Sequence, residues 1–379
     1  MALSNVHPNN KLIQFRKDIT REYVRENLFS AYYGDGVTAI IRNIYDAKKG
    51  GEQINVPLVG SLTGSGKGAG TLVGNEEKID NFGFRAFVDW NRHAVVTNGA
   101  EEQKDSADVF GEAKPLLSDW GKEQQRDELI LAFHALPTSA APAGLGSDAG
   151  QRVNGVLYSA ASASEKNTWH TYNASRVLYG SAKANFVTGN HASSLANIDA
   201  TNDKLKRSSL SLMKRMAKKA RPRIRPFKVK SGREYFVVFC GSLPFRDIKA
   251  DLESINKDAR SREDRGMDDN PLFQDGDLLW DGMIIREIPE MDDLCTVTGA
   301  GADSIDVAPV FFCGQMAATV AWAKMPNPTR RDETDYGFVK GVGIEMCYGI
   351  AKIAKALPGS SSLVDWGMAT MYVASVADA

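Results

Sequence analysis

Two β-rich segments separated by a run of alternating glycines constrain this 379-residue chain more than any other feature. Residues 52–62 (EQINVPLVGSL) and 82–97 (FGFRAFVDWNRHAVVT) are dense in β-branched and aromatic side chains. Between them Gly64, Gly66, Gly68 and Gly70 leave no periodic pattern for a regular element. In the second segment Phe82, Phe84, Ala86, Val88 and Trp90 alternate with Gly83, Arg85, Phe87 and Asp89. The pattern predicts a long two-stranded projection with a flexible tip and Trp90 on its apolar contact face. A hairpin of this kind is marginal in water, so another surface must hold it.

The remaining elements follow from periodicity. Residues 11–29 carry Leu12, Phe15, Ile19 and Tyr23 at helical spacing among charges. This amphipathic segment packs either on its own domain or on a partner chain. A helix is predicted over 115–136, with Pro115 in its first turn and Pro137 stopping it; at 1.5 Å per residue it is about 33 Å long. Residues 137–203, rich in Ala, Ser, Gly and Asn, predict short elements and loops. Residues 204–225 hold ten Lys or Arg and no acid, with Leu205, Leu212, Met213, Met216, Ala217 and Ala220 as an apolar stripe. They predict a basic helix ended by Pro222. A strand over 233–240 (REYFVVFC), a helix over 245–255 and a charged loop over 257–277 come next. Residues 278–288 read as strand around the turn Asp281-Gly282. A strand at 310–313, a helix at 315–323 and strands at 337–353 and 368–376 complete the chain. There is no regular βαβ alternation, so the fold class is α+β.

Composition excludes several functions. With 46 basic against 47 acidic side chains, a net charge of −1 argues against a dedicated nucleic-acid binder. The 43 % hydrophobic content is that of a globular chain, and its length suits two or three structural units. Cys240, Cys295, Cys313 and Cys347 form no CxxC pair and sit mostly in apolar runs, which predicts buried, reduced thiols. The N-terminus lacks the apolar core of a signal peptide. The longest uncharged run, 307–323, is broken by Pro309, Gly314 and Gln315 and falls short of the ~20 residues a membrane span needs. A soluble, cytosolic-type protein without membrane contact is expected.

Catalytic motifs fail one by one. Around Lys67, Ser61 stands where a phosphate loop needs its first glycine, and Gly68 where it needs a magnesium-binding hydroxyl. His7, His93, His134, His170 and His191 are scattered, and no G-x-S-x-G elbow occurs. Asp268-Asp269 and Asp292-Asp293 fall in turn-like segments and read as solvated faces. No catalytic, cofactor-binding or metal-ligating residue is assigned, and no cofactor is expected. The basic segment 204–225 could meet phosphates or an acidic partner. The expected reading is balance by acidic groups of the protein itself, in the stretch 251–293 of the same or an adjacent copy, which includes Asp251, Glu253, Asp258, Glu263 and Asp264.

The order of parts now carries a resemblance. The run ARPRIRP from Ala220 to Pro226 precedes the strand EYFVVF from Glu234 to Phe239 and the helix start Arg246-Asp247-Ile248. LWDGMIIRE from Leu279 to Glu287, CGQMAA from Cys313 to Ala318 and Asp335-Tyr336-Gly337 follow in series. Nearly the whole chain resembles the major capsid proteins of tailed bacteriophages with the Hong Kong 97-like fold, and most nearly the subfamily typified by the phage N-four major coat protein. In that family an alanine is commoner at the place of Met316. The resemblance implies an N-terminal arm at 1–45, an extended E-loop at 46–98 and a peripheral domain at 99–203 with a spine helix at 115–136. It further implies an axial domain at 204–325 and a return to the peripheral domain at 326–379.

The function it implies is structural: hexamers and pentamers of one chain closing an icosahedral head around double-stranded DNA that they contact non-specifically. Accessory capsid, portal and scaffolding proteins are the implied partners, and the virion the implied location after synthesis in the host cytoplasm. The alternatives are an encapsulin-like nanocompartment shell of the same fold, or a soluble enzyme, which the failed motifs disfavour.

Overall fold

The computed structural model describes residues 27–45, 51–104, 109–148, 150–228, 234–260, 277–331, 336, 338–357 and 360–378. In chain order the first half comprises β1 (Tyr33–Gly34), β2 (Ile41–Ile44), β3 (Gln53–Val59), β4 (Asn81–Phe87), β5 (Asp89–Asn98), α1 (Gly99–Lys104), α2 (Ala113–His134), β6 (Val153–Asn154), α3 (Ala163–Tyr172), β7 (Val177–Tyr179) and α4 (His191–Ala196). The second half comprises α5 (Arg207–Lys219), β8 (Phe227–Lys228), β9 (Glu234–Cys240), α6 (Ser242–Arg260), β10 (Asp277–Trp280), β11 (Met283–Glu287), α7 (Glu290–Cys295), β12 (Val307–Cys313), β13 (Ala318–Arg330), β14 (Val339–Lys352), β15 (Ala354–Ala356), β16 (Leu363–Asp365) and β17 (Met368–Ala374).

Two mixed sheets organise these elements. One has the order β1-β2-β13-β14-β5 with β6 beside β14; the other has the order β10-β11-β9-β12-β17-β7 with β8 beside β9. Strands of the second sheet are buried on both faces, which is why they read as unbroken apolar runs. Val237 and Phe239 of β9 point with Phe311 and Cys313 into a core shared with Leu129, Ile130 and Phe133 of α2. Phe236 and Val238, one residue out of phase, join Val310 and Phe312 in a core covered by Leu210, Met213 and Met216 of α5 and Ile248 of α6. The 22-residue α2 lies between the two sheets' apolar faces, with Pro115 in its first turn and extended backbone at Ala135, two residues before Pro137.

Several elements differ from the sequence-based expectation. The helix expected at 315–323 is strand β13. Ala318 and Val320 point into one core while Ala321 points into another, and the segment pairs in parallel with β2 and antiparallel with β14. Alanine-rich composition favours helix weakly, and pairing on both sides overrides it. The charged loop expected from residue 257 begins later, because α6 continues to Arg260; residues 261–276 lie outside the described residues. Basic helix α5 is shorter than 204–225, spanning Arg207–Lys219. Asp281 and Gly282 form the expected turn, both with positive φ (46° and 68°), between antiparallel β10 and β11.

Residues 1–26 of the expected arm lie outside the described residues. The rest of it is built into the subunit. Phe29 is fully buried, its ring 4.9 Å from Phe239 and 6.0 Å from Phe133, and β2 is an interior strand of the first sheet. At the other end of the chain, β14 returns to the first sheet while β17 lies in the second between β12 and β7. Residues 326–379 therefore contribute to both sheets.

Candidate functional site

The expected projection exists, but only part of the second segment belongs to it. β3 and β4 pair antiparallel from Gln53↔Phe87 to Val59↔Asn81; past Val88 the chain leaves the hairpin, and β5 pairs with β14. This exit shifts the side-chain phase. Asp89 is buried and Trp90 half-exposed, so Trp90 is not on the hairpin's contact face; Lys324 lies 5.6 Å from its ring centre. Asn154 fixes the exit by accepting from the Phe87 N–H at 2.8 Å and donating to the Phe87 carbonyl at 2.9 Å. Gly349 permits it, since a Cβ there would stand 1.8 Å from that carbonyl oxygen. Gly349→Ala is expected to destabilise the subunit by about 1–3 kcal/mol and to re-aim the hairpin. Urea unfolding and limited proteolysis of 60–80 check this, and unchanged stability and cleavage would contradict it.

The hairpin has two parts with different physics. At its base Ile54, Val56, Leu58, Phe84 and Ala86 are buried against Ile353, Ala354 and Leu363 of the same chain, which supplies the support a free hairpin lacks. Lys355 pairs with Asp80, and the Gly60 N–H donates to the Asp80 carbonyl at 2.7 Å. Beyond that rung every residue from 61 to 79 is exposed. One clamp spans the tip: Glu77 accepts from the N–H groups of Thr63 at 2.6 Å and Gly64 at 2.8 Å, and these bonds hold its carboxyl below the usual range.

On this exposed part Val59 (58 %), Leu62 (66 %), Leu72 (65 %), Val73 (80 %) and Ile79 (62 %) face solvent. Val95 and Val96 of β5, Met325 of β13 and Phe338 just before β14 are exposed as well. β5 is the last strand of its sheet; past Trp90, whose N–H and carbonyl are taken by Asp89 and Arg152, no further strand pairs with its outer edge among the described residues. Apolar clusters on projecting elements mark interaction surfaces.

The residues tested for catalysis are placed otherwise. Gly66, Gly68 and Gly70 stand in open space, and the next element after the Lys67 loop is strand β4, which offers no helix N-terminus to a phosphate. His7 and Asp268-Asp269 lie outside the described residues. The His93 ring packs tilted against Trp120, with centroids 4.7 Å apart. Asp292 accepts from the Ser242 N–H at 2.8 Å at the start of α6, while Asp293 is exposed. All four cysteines are buried free thiols, and burial pushes Cys295 up to about 12 and Cys347 up to about 11. Among the described residues no cluster of His, Cys, Asp and Glu could hold a metal ion, and no helix is long and apolar enough to cross a membrane.

His134, His170 and His191 come together instead, in a buried network with Tyr158, Tyr179 and Tyr372 that the sequence did not reveal. His170 Nε2 lies 2.8 Å from the Val187 carbonyl, so it carries the proton and Nδ1 accepts from the Tyr179 hydroxyl at 2.7 Å. That hydroxyl then accepts from His191 Nδ1 at 2.6 Å, and His191 Nε2 accepts from Tyr158 at 2.7 Å. One carbonyl thus sets the tautomers of His170 and His191. All three histidines are held below their usual value, chiefly by burial: His134 well below, and His191 down to about 3. Each bond joins groups of the same core, and the aromatic network reads as structural. A second buried polar group pairs Lys352 with Asp365 at 3.2 Å, while Arg176 donates to the carbonyls of Asp365 and Pro222.

The basic segment is only partly balanced from within. The Arg207 N–H donates to Asp251 at 2.9 Å and Lys214 pairs with Asp281 at 2.9 Å. Arg215, Lys218, Lys219, Arg221, Arg223 and Arg225 have no ion pair among the described residues. The side chains of Glu253, Asp258, Glu263 and Asp264 lie outside the described residues.

A chain that displays apolar surface on projecting elements is suited to binding copies or partners, and its similarities agree. A family profile described as phage capsid protein matches residues 6–377. The chain belongs to the phage capsid protein family. It is accordingly a structural protein, a major capsid protein that forms a phage head shell. The capsid asymmetric unit of cyanophage Pam1 is 29 % identical, with a TM-score of 0.85 and full coverage of both chains (100 % of each). The capsid of Ralstonia phage GP4 is 16 % identical at a TM-score of 0.70, covering 98 % of this chain and 97 % of its own. An encapsulin complex from Synechococcus elongatus shares the fold at a TM-score of 0.50 and 9 % identity, over 100 % of this chain and 99 % of its own. A comparison with curated proteins gave no match.

Proposed function

We propose that this capsid protein has the Hong Kong 97-like fold and belongs with the subfamily typified by the phage N-four major coat protein. It builds hexamers and pentamers that close an icosahedral head around double-stranded DNA. The observation that carries this reading is the exposed hairpin tip on a base anchored to its own subunit, a lever placed to reach a neighbour. In this reading the hairpin is the E-loop and α2 the spine of the peripheral domain, while the second sheet with α5 and α6 forms the axial domain. Contact with packaged DNA is non-specific, and portal, scaffolding and accessory capsid proteins complete the head. The subunit is made in the host cytoplasm.

The encapsulin-like alternative draws on the shared fold alone. Electron microscopy and ultraviolet absorbance of purified particles separate the two. Closed shells with a nucleic-acid absorbance ratio support a phage head. Shells with a protein cargo and no nucleic acid would replace it with a nanocompartment, and the absence of shells would reject both.

A further inference from the structure

We infer that Arg221, Arg223 and Arg225, with Lys218 beside them, form a preset cationic ladder that binds the phosphate backbone of nucleic acid. The inference rests on the proposed packaging of DNA and assigns the contact to particular residues. Its first support is the alternation of the segment. Ala220 and Ile224 are buried, Pro222 and Pro226 half-buried, and the three arginines between them exposed. The alternation turns all three arginines to the solvent side of the segment while Ala220 and Ile224 hold it to the core.

The second support is how firmly the backbone is fixed. The Pro222 carbonyl accepts from Arg176 at 2.6 Å, the Arg225 carbonyl from the Gln315 N–H at 2.8 Å, and the Pro226 carbonyl from Gln315 Nε2 at 2.9 Å. Little backbone order therefore remains to be lost when the ladder binds. The third is the setting. The segment lines a cleft of about 730 Å³ beside Gly60 to Leu62 of the hairpin and Trp366. Glu234, the acid among its lining residues, is matched by Lys228 at 3.7 Å.

Nucleic acid fits this ladder better than a second copy of the chain. Four acids are already engaged at home: Glu101 with Lys104, Glu102 with Lys340, Asp119 with Lys122, and Glu345 with Lys324. The ladder's arginines lack such partners among the described residues.

The test measures binding of the full-length subunit to a short fluorescein-labelled DNA duplex by anisotropy, from about 50 mM to about 200 mM salt. Replacing the three arginines (R221Q, R223Q and R225Q together) should make the slope of log K against log salt shallower by about 2.7, equally for unrelated duplex sequences. The single variant R223Q, which perturbs the fold less, should give about 0.9. Gln at Lys114, Lys183 and Lys249, all exposed, removes the same charge and should leave the slope unchanged. An unchanged slope in the triple variant overturns the ladder. So does an unchanged slope with weakened assembly at low salt, which would assign the arginines to acidic groups of a second copy. The absorbance ratio of wild-type particles tests packaging separately, so either idea can fail alone.

Discussion

Between neutral pH and about pH 4 the folded subunit is expected to lose about 3 kcal/mol through His191 alone. Burial, with His170 and Lys166 nearby, holds the native His191 pKa down to about 3, against about 6.5 in an unfolded chain. The unfolded chain therefore binds the proton more readily. Stability is complete above about pH 6.5 and falls as the pH drops through that value toward the native pKa. The geometry gives the same sign: His191 Nε2 accepts from Tyr158 and Nδ1 donates to Tyr179, so an added proton must turn the Tyr158 hydroxyl away and place a charge inside the core. His134 and His170 shift in the same direction and add to the loss. Carboxylates also titrate over this range, so the readout is a difference. Denaturant unfolding across pH should show that His191→Gln, whatever its stability at neutral pH, removes close to one proton from the slope. If wild type and variant share one pH slope, His191 is not a buried neutral base.

How much of this was legible in the sequence depends on where the determining contacts lie. The second sheet was readable because strands buried on both faces write continuous apolar runs, as in EYFVVFC of β9. The turn at Asp281-Gly282 and helix α2 were readable because their signals are local. β13 is not legible as a strand because Ala318 to Ala323 becomes one only through pairing with β2 and β14, which the segment itself does not encode. The departure of β5 from the hairpin depends on Asn154, 67 residues away from Phe87, and on the missing Cβ of Gly349. The histidine network was invisible for the same reason: its bonds and ring contacts join residues between His134 and Tyr372, and no short spacing announces them. For the basic segment the charge was plain, but which cations find acids at home is a tertiary fact. Arg207 and Lys214 find acids at home, Asp251 and Asp281, whereas the arginines at 221, 223 and 225 have no ion pair among the described residues.

Replacing residues 61–79 by an Asn-Gly turn is expected to leave a folded subunit that no longer builds shells. The junction is suitable, because Gly60 and Asp80 already face each other across the last backbone rung at 2.7 Å. Residues 61–79 are exposed throughout and bury none of the core, so the subunit itself should change by less than about 1 kcal/mol. The Glu77 clamp closes only the tip and disappears with it. Assembly answers to different terms. Leu62, Leu72, Val73 and Ile79 would be lost, and burying such side chains on a neighbour contributes about 1.5–3 kcal/mol each. Even the lower figure for four of them weakens one subunit contact by a factor on the order of 10⁴, repeated at every subunit of a closed shell. Light scattering and electron microscopy should therefore show unassembled protein, while circular dichroism and thermal melting stay close to wild type. Normal shells from this variant would mean that the tip is dispensable and that the open edge of β5 carries the contacts. A variant that loses secondary structure would place the tip in the subunit's own folding, against its exposure here.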